Sequence, residues 1–225
     1  MFYNLEKTMI ACTEDPSLIF DLIEEGHYEV VDKLLLKRKI DINICDKFGN
    51  NVLMSLLKRK EYKIVLKYIK REELNINHQN NDGDTLTHIL ATIDYKFVRD
   101  IIKEIRRKKD FKPNIKNNKQ ETILDKAIKN NYMYTALKIL EDKRFTNIDI
   151  VSFRNLYEKF VKSKEYGKYT RFNNLEIIMD SLESKKLLPK VKKVINFFEE
   201  NRNTIKEDIL ENNSYKMDKV INSLL

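Results

Sequence analysis

Four segments of the chain repeat nearly in register, and this periodicity constrains the fold more than any other feature. They begin at Ser17 (SLIFDLIEEGHYEVVDKLL), Asn51 (NVLMSLLKRKEYKIVLKYI), Thr85 (TLTHILATIDYKFVRDII) and Thr122 (TILDKAIKNNYMYTALKIL), 34, 34 and 37 residues apart. A polar turn precedes three of them: CDKFGN before Asn51, NNDGD before Thr85 and NNKQE before Thr122. A short stretch follows each one: Ile40 to Asn43, Leu74 to Asn77, Pro113-Asn114-Ile115, and Asn147 to Ile150. The expected unit is a helix, a tight turn, a second helix and an extended finger leading to the next unit. Apolar residues recur at helical spacing in the second helices, as at Val30, Val31, Leu34 and Leu35 and again at Ile64, Val65, Tyr68 and Ile69. One helical pair is too small to bury its own apolar face, whereas stacked pairs share a continuous core.

Composition agrees with an all-α chain. Hydrophobic residues make up 42% of 225, enough for a core, while Gly 4 and Pro 3 are too few for an all-β or dinucleotide-binding fold. Residues Met1 to Pro16 carry charges at Glu6, Lys7, Glu14 and Asp15, unlike a secretory leader, and no window is apolar enough to span a membrane. The two cysteines, Cys12 and Cys45, form no disulfide framework or metal cluster and are expected to be reduced, buried and inert. The expected compartment is a reducing cytoplasm or nucleus. The net charge of +8 could signal nucleic acid or an anionic surface, but 35 acidic residues are interspersed with 43 basic ones. Asn is also heavily used, as at Asn80-Asn81, Asn117-Asn118 and Asn130-Asn131, and Lys/Asn/Ile enrichment is common in AT-rich genomes, so part of the positive charge reads as drift.

The pattern resembles the ankyrin repeat. Gly26-His27-Tyr28-Glu29-Val30-Val31, ending in Leu34-Leu35, matches the second half of that signature. Asp82-Gly83-Asp84-Thr85-Leu86-Thr87-His88 carries the Gly, Thr and His of the first half, and Asp46-Lys47-Phe48-Gly49 the Asp and Gly of its turn. The signature proline is missing from all four, and Lys60 and Asn131 stand where the inter-helix glycine belongs. The resemblance covers about Ser17 to Ile150 and implies an all-α ankyrin-repeat solenoid, with 17–150 as four repeats and residues 1–16 as an N-terminal cap with a helix through Leu5 to Ala11; 151–225 reads as a degenerate repeat and C-terminal helices, with a separate C-terminal module as the alternative. In that last region Leu156, Phe160 and Val161 would start a fifth repeat, with Leu175, Ile177, Ile178 and Leu182 on its second helix and Glu165 to Thr170 as the loop between. Val191, Val194, Ile195 and Phe198 predict an amphipathic helix after Pro189, and a final helix is expected over Met217 to Leu225.

The resemblance also implies a non-enzymatic protein-binding module, a scaffold, adaptor or competitive inhibitor, with no cofactor, no metal and a monomeric chain. Viral and intracellular-bacterial members suggest a host-directed effector in the host cytoplasm. A nucleic-acid or anionic-surface binder using the +8 charge is the alternative. The family's variable positions map to Glu24 and Glu25; to Lys47, Phe48, Asn50, Lys58 and Arg59; to Asn81, Asp82, Asp84, Thr92 and Ile93; and to Asn118, Lys119, Glu121, Lys129 and Asn130. Phe48 and Ile93 offer apolar anchors and Arg59 a planar fork for a carboxylate, the composition of an interface hot spot.

Catalytic chemistry finds few tools. The resemblance implies that His88 bonds Thr85 within its turn; His27 is expected to sit on a surface turn, and His78 to be exposed on a finger, with a ligand contact as the alternative. No serine or cysteine stands beside a histidine as an activated nucleophile would. The run Arg106-Arg107-Lys108-Lys109 reads as a solvated helix terminus complementing the helix dipole.

Overall fold

A computed structural model describes residues 5–140, 142–146, 148–162, 167–183, 189–211 and 215–224. Met1 to Asn4 of the expected cap, Asn147 of the fourth finger, Glu165 and Tyr166 of the expected loop, and Leu225 lie outside the described residues. Among the described residues the chain is all helical, and no helix is long and apolar enough to cross a membrane. It divides into two compact units, Met1–Phe111 with Ile115–Glu121, and Lys112–Asn114 with Thr122–Leu225.

The first unit holds α1 (Leu5–Glu14) and three helix pairs: α2 (Leu18–Glu24) with α3 (Tyr28–Leu36), α4 (Val52–Lys58) with α5 (Tyr62–Tyr68), and α6 (Leu86–Leu90) with α7 (Tyr95–Arg107). α1 packs on both α2 and α3. The first helix of each pair is short and buried on nearly every side. In α4, Val52, Leu53, Met54, Leu56 and Leu57 are all enclosed, because α4 lies between α2 and α6. The second helices bury a single stripe, such as Val98, Ile101 and Ile105 of α7, and leave the other face to water. Val30 and Ile64, at the edge of such stripes, are half-buried.

Side-chain caps begin α4 and α6, whereas Ser17 makes no side-chain cap bond at the start of α2. Asn51 Oδ1 accepts the Met54 amide at 3.0 Å, and Thr85 Oγ1 accepts the amide of His88 at 3.4 Å. His88 is fully buried. The Thr85 amide donates to His88 Nδ1 at 3.1 Å, so Nδ1 carries the lone pair and Nε2–H donates to the Glu121 carbonyl at 3.1 Å. The imidazole therefore joins the cap of α6 to the next finger. The turns between helices of a pair pass through the left-handed region at Gly26 (φ 81), Lys60 (φ 66) and, in the second unit, Asn131 (φ 62). Glycine and asparagine tolerate this conformation; lysine does not gain from it.

The second unit holds α8 (Ile123–Lys129) paired with α9 (Met133–Leu140), then α10 (Ile150–Leu156) running into a π-helical turn over Tyr157–Val161, then α11 (Lys168–Glu183). α8 contacts α10 and α9 contacts α11, the same pairing that relates α4 to α6 and α5 to α7 in the first unit. Asp149 Oδ1 caps α10 through the Ser152 amide at 2.8 Å. Leu156, Phe160 and Val161 are buried, as are Leu175, Ile178 and Leu182, but Ile177 is 44% exposed. Ile177 lies two residues from Leu175, about 200° around the helix, so it leaves the buried stripe that the others share. α12 (Pro189–Glu200) buries Val191, Val194, Ile195 and Phe198. α13 (Arg202–Leu210), which the sequence reading did not anticipate, and α14 (Tyr215–Leu224) pack against it.

Candidate binding cleft

The fingers of the first unit are three copies of one device. Asp46 Oδ1 accepts the amides of Phe48 and Asn50, both at 2.8 Å. Asn80 Oδ1 accepts those of Asp82 and Asp84 at 3.0 and 2.9 Å, and Asn117 Oδ1 those of Lys119 and Glu121, both at 3.0 Å. The fourth residue of each turn has positive φ: Gly49 (74), Gly83 (75) and Gln120 (60). Successive fingers are tied backbone to backbone, the Asn81 amide to the Phe48 carbonyl and the Asn118 amide to the Asp82 carbonyl, both at 3.0 Å. Three residues before each turn residue stands another asparagine. Asn43 accepts the Asn75 amide at 2.8 Å and donates to the Glu73 carbonyl at 2.8 Å, and Asn77 donates to the Asp110 carbonyl at 2.7 Å. In the second unit Asn114 joins Thr146 and Arg144 in the same way. These asparagines shape and staple the fingers, so their abundance is not compositional drift alone. The signal was their fixed spacing from the helix caps.

Asp46 lies at the centre of this bonding. Burial pushes its pKa upward, but the bonds from the Asn50 side chain, the Asn50 and Phe48 amides and Ser55 Oγ outweigh it and hold the carboxyl below the usual range. Asn50 donates to Asp46 and accepts from Lys58 Nζ at 2.8 Å and Asn80 Nδ2 at 2.8 Å. Asn50 is thus only 1% exposed, and its side chain belongs to the interior of the finger rather than to the expected contact surface. Asp84 is likewise buried, accepting from Asn117 Nδ2 at 2.8 Å.

Against this finger a cleft of about 310 Å³ opens between α2 and α4, lined by Phe20, Ile23, Glu24, Asp46, Phe48, Asn50, Ser55, Lys58 and Arg59. Phe20 and Ile23 form a packed apolar floor, and Phe48, 55% exposed, forms the rim with Lys47 Nζ 5.3 Å from its ring centre. The structure therefore brings Phe48, Lys58 and Arg59 to one place. Ile93 does not line the cleft; it is half-buried in the turn after α6. Thr92 is exposed, with its hydroxyl donating to the Ile89 carbonyl at 2.8 Å. Lys47, Asn81, Asp82, Asn118 and Lys119 are exposed on the finger turns, where Asn81 Nδ2 and Asn118 Nδ2 donate to the preceding turn's carbonyls. Lys129 is exposed on α8 of the second unit.

The remaining candidates for chemistry are resolved by their bonds. Cys12 is buried, but Cys45 is exposed on its finger, contrary to expectation, because it stands in the finger between α3 and α4 rather than on the packed face of a helix. Cys45 Sγ lies 3.3 Å from His78 Nε2, the nitrogen that also meets the Gly49 carbonyl at 2.7 Å. A carbonyl only accepts, so Nε2 bears the hydrogen and has no lone pair with which to take the thiol proton. Burial, then the charges of Asp46 and Asp41, push the Cys45 pKa up, the opposite of an activated thiolate. His78 is half-buried and ties two fingers together rather than standing exposed. In the basic run, Lys108 Nζ donates to the Arg71 carbonyl at 2.7 Å and Arg107 pairs with Glu104 at 2.7 Å in the last turn of α7, so both side chains are engaged within the first unit. Compared with models of known protein families and with curated proteins, the chain matches none.

Proposed function

We propose that this chain is a non-enzymatic, protein-binding module, a divergent ankyrin-type solenoid that engages a partner protein through its fingers and the exposed ends of its first helices. The observation that carries the reading is the cleft between α2 and α4, where an exposed Phe48 and the guanidinium of Arg59 flank an apolar floor. An aromatic anchor beside an arginine over a preformed hollow is the arrangement in which a few residues dominate binding energy. The repetition of capped, enclosed first helices and stapled fingers supports the solenoid part of the reading, since each pair depends on its neighbour for burial.

The test is affinity purification with the wild type beside a Phe48→Ala/Arg59→Ala variant, with nuclease added and salt raised. The reading expects one protein to be retained by the wild type through both treatments and lost with the variant. Recovery that collapses with nuclease or salt, while the variant behaves as wild type, would instead assign the function to the +8 charge and a polyanion.

A further inference from the structure

Glu24 and Arg59 line the same cleft, yet the side chain of neither has a hydrogen-bond or ion-pair partner among the described residues, and they do not pair with each other. Glu24 is the last residue of α2, where the helix dipole disfavours an anion, so local stability does not account for it. Arg59 caps the C-terminal end of the adjacent α4, with Lys58 before it. Lys58 spends one of its three donors on Asn50 Oδ1 and keeps two. The other carboxylate in the cleft, Asp46, is consumed by its own finger and does not compete for either cation. The cleft therefore carries cations at Arg59 and Lys58, an anion at Glu24, and apolar side chains at Phe20, Ile23 and, on its rim, Phe48.

Resting on the protein-binding reading above, we infer that this cleft receives a dipolar peptide segment of the partner, with an acidic side chain against Arg59 and Lys58, a large apolar side chain on the floor, and a basic side chain against Glu24. A cleft of about 310 Å³ accommodates one large side chain with the polar ends of its neighbours. Charge complementarity at both walls fixes the direction of the segment, because the reversed peptide places like charges together.

The experiment begins with a peptide display library selected on the immobilised full chain. Selected sequences are expected to share an acidic and a basic residue flanking an apolar one. A synthetic peptide carrying that consensus is then titrated by fluorescence polarisation. Glu24→Arg and Arg59→Glu are each expected to weaken it about tenfold or more. The double variant Glu24→Arg/Arg59→Glu is expected to bind the peptide with its two charges exchanged nearly as the wild type binds the original. Both side chains are exposed, so circular dichroism should be unchanged, and the restored binding cannot come from misfolding. If Arg59→Glu weakens binding while Glu24→Arg strengthens it, the ligand is a simple acid and the dipolar assignment is overturned. It is also overturned if neither changes affinity. In both cases the broader reading survives where Phe48→Ala still abolishes binding. If no selected peptide depends on any cleft residue, both readings fall together.

Discussion

Replacing Gly83 by alanine probes whether the fingers are as closely stacked as the structure has them. Gly83 holds φ at 75, and a Cβ there would lie 2.6 Å from the Asn118 amide nitrogen and 3.1 Å from the Asn117 carbonyl carbon. Both are backbone atoms, so no side-chain rotation relieves the clash. The left-handed conformation costs a non-glycine residue about 1–2 kcal/mol. Lost freedom of the unfolded chain returns about 0.4–1 kcal/mol. Forcing the next finger away, with its Asn118-to-Asp82 bond, adds about 1–3 kcal/mol, giving a net loss of about 1–5 kcal/mol. At about 2–4 °C per kcal/mol for a chain of this size, the midpoint of thermal unfolding should fall by roughly 2–20 °C. Gln120 supplies the control: it occupies the same turn position with φ 60, so Gln120→Gly should raise stability by about 0.5–1 kcal/mol. Urea and thermal unfolding followed by circular dichroism, with hydrogen exchange at the Asn118 amide, would measure both. A neutral Gly83→Ala together with a destabilising Gln120→Gly would refute the stacked-finger reasoning.

Three further outcomes follow from the same geometry. Asp46→Ala should cost about 2–4 kcal/mol, since two finger amides and the Asn50 and Ser55 side chains lose a charged acceptor, whereas Asp46→Asn should keep the amide bonds and lose less. Because the native Asp46 carboxyl titrates below its unfolded value, its contribution is present above pH ~4 and disappears as the pH falls through the native value. The stability difference between wild type and Asp46→Asn should shrink over that window, read as chemical-denaturation midpoints between pH 6 and pH 2. Lys60→Gly, at φ 66 on an exposed turn, should stabilise the chain by about 0.5–1 kcal/mol in the same assay. Tyr68→Phe removes the hydroxyl that lies 2.8 Å from both the carbonyl and Oδ1 of Asp32, and should cost about 0.5–1.5 kcal/mol, with earlier hydrogen exchange in α3 and α5.

Much of the local architecture was legible in the sequence because it is written in short-range chemistry. Spacing of 34, 34 and 37 residues located the helix pairs; Asn51, Thr85 and Thr122 marked three helix starts; Gly49 and Gly83 marked turns that need positive φ. The buried stripe of α12 followed from its 3.6-residue period. The candidate site was legible only in part. Phe48, Lys58 and Arg59 were found as exposed positions of a repeat, but Asn50 and Asp84 occupy equally variable positions and turned inward. Exposure at a finger depends on whether a side chain finds a partner in the next finger, 30 or more residues away, and a pattern of polar residues does not carry that information. The same limit hid the staple made by Asn43, Asn77 and Asn114, whose partners all lie one repeat onward.

That the chain is all-helical, where α4, α6 and α8 begin and which face α12 buries could be read from the residues in order, because capping, turn conformation and amphipathic period are properties of neighbours along the chain. Only the tertiary structure decided that Asp46 is spent within its finger while Glu24 and Arg59 are left unpaired over an apolar floor. That outcome depends on which residues of different repeats meet in space, and hydrogen bonds at the end of a long loop closure are set by packing rather than by the order of residues.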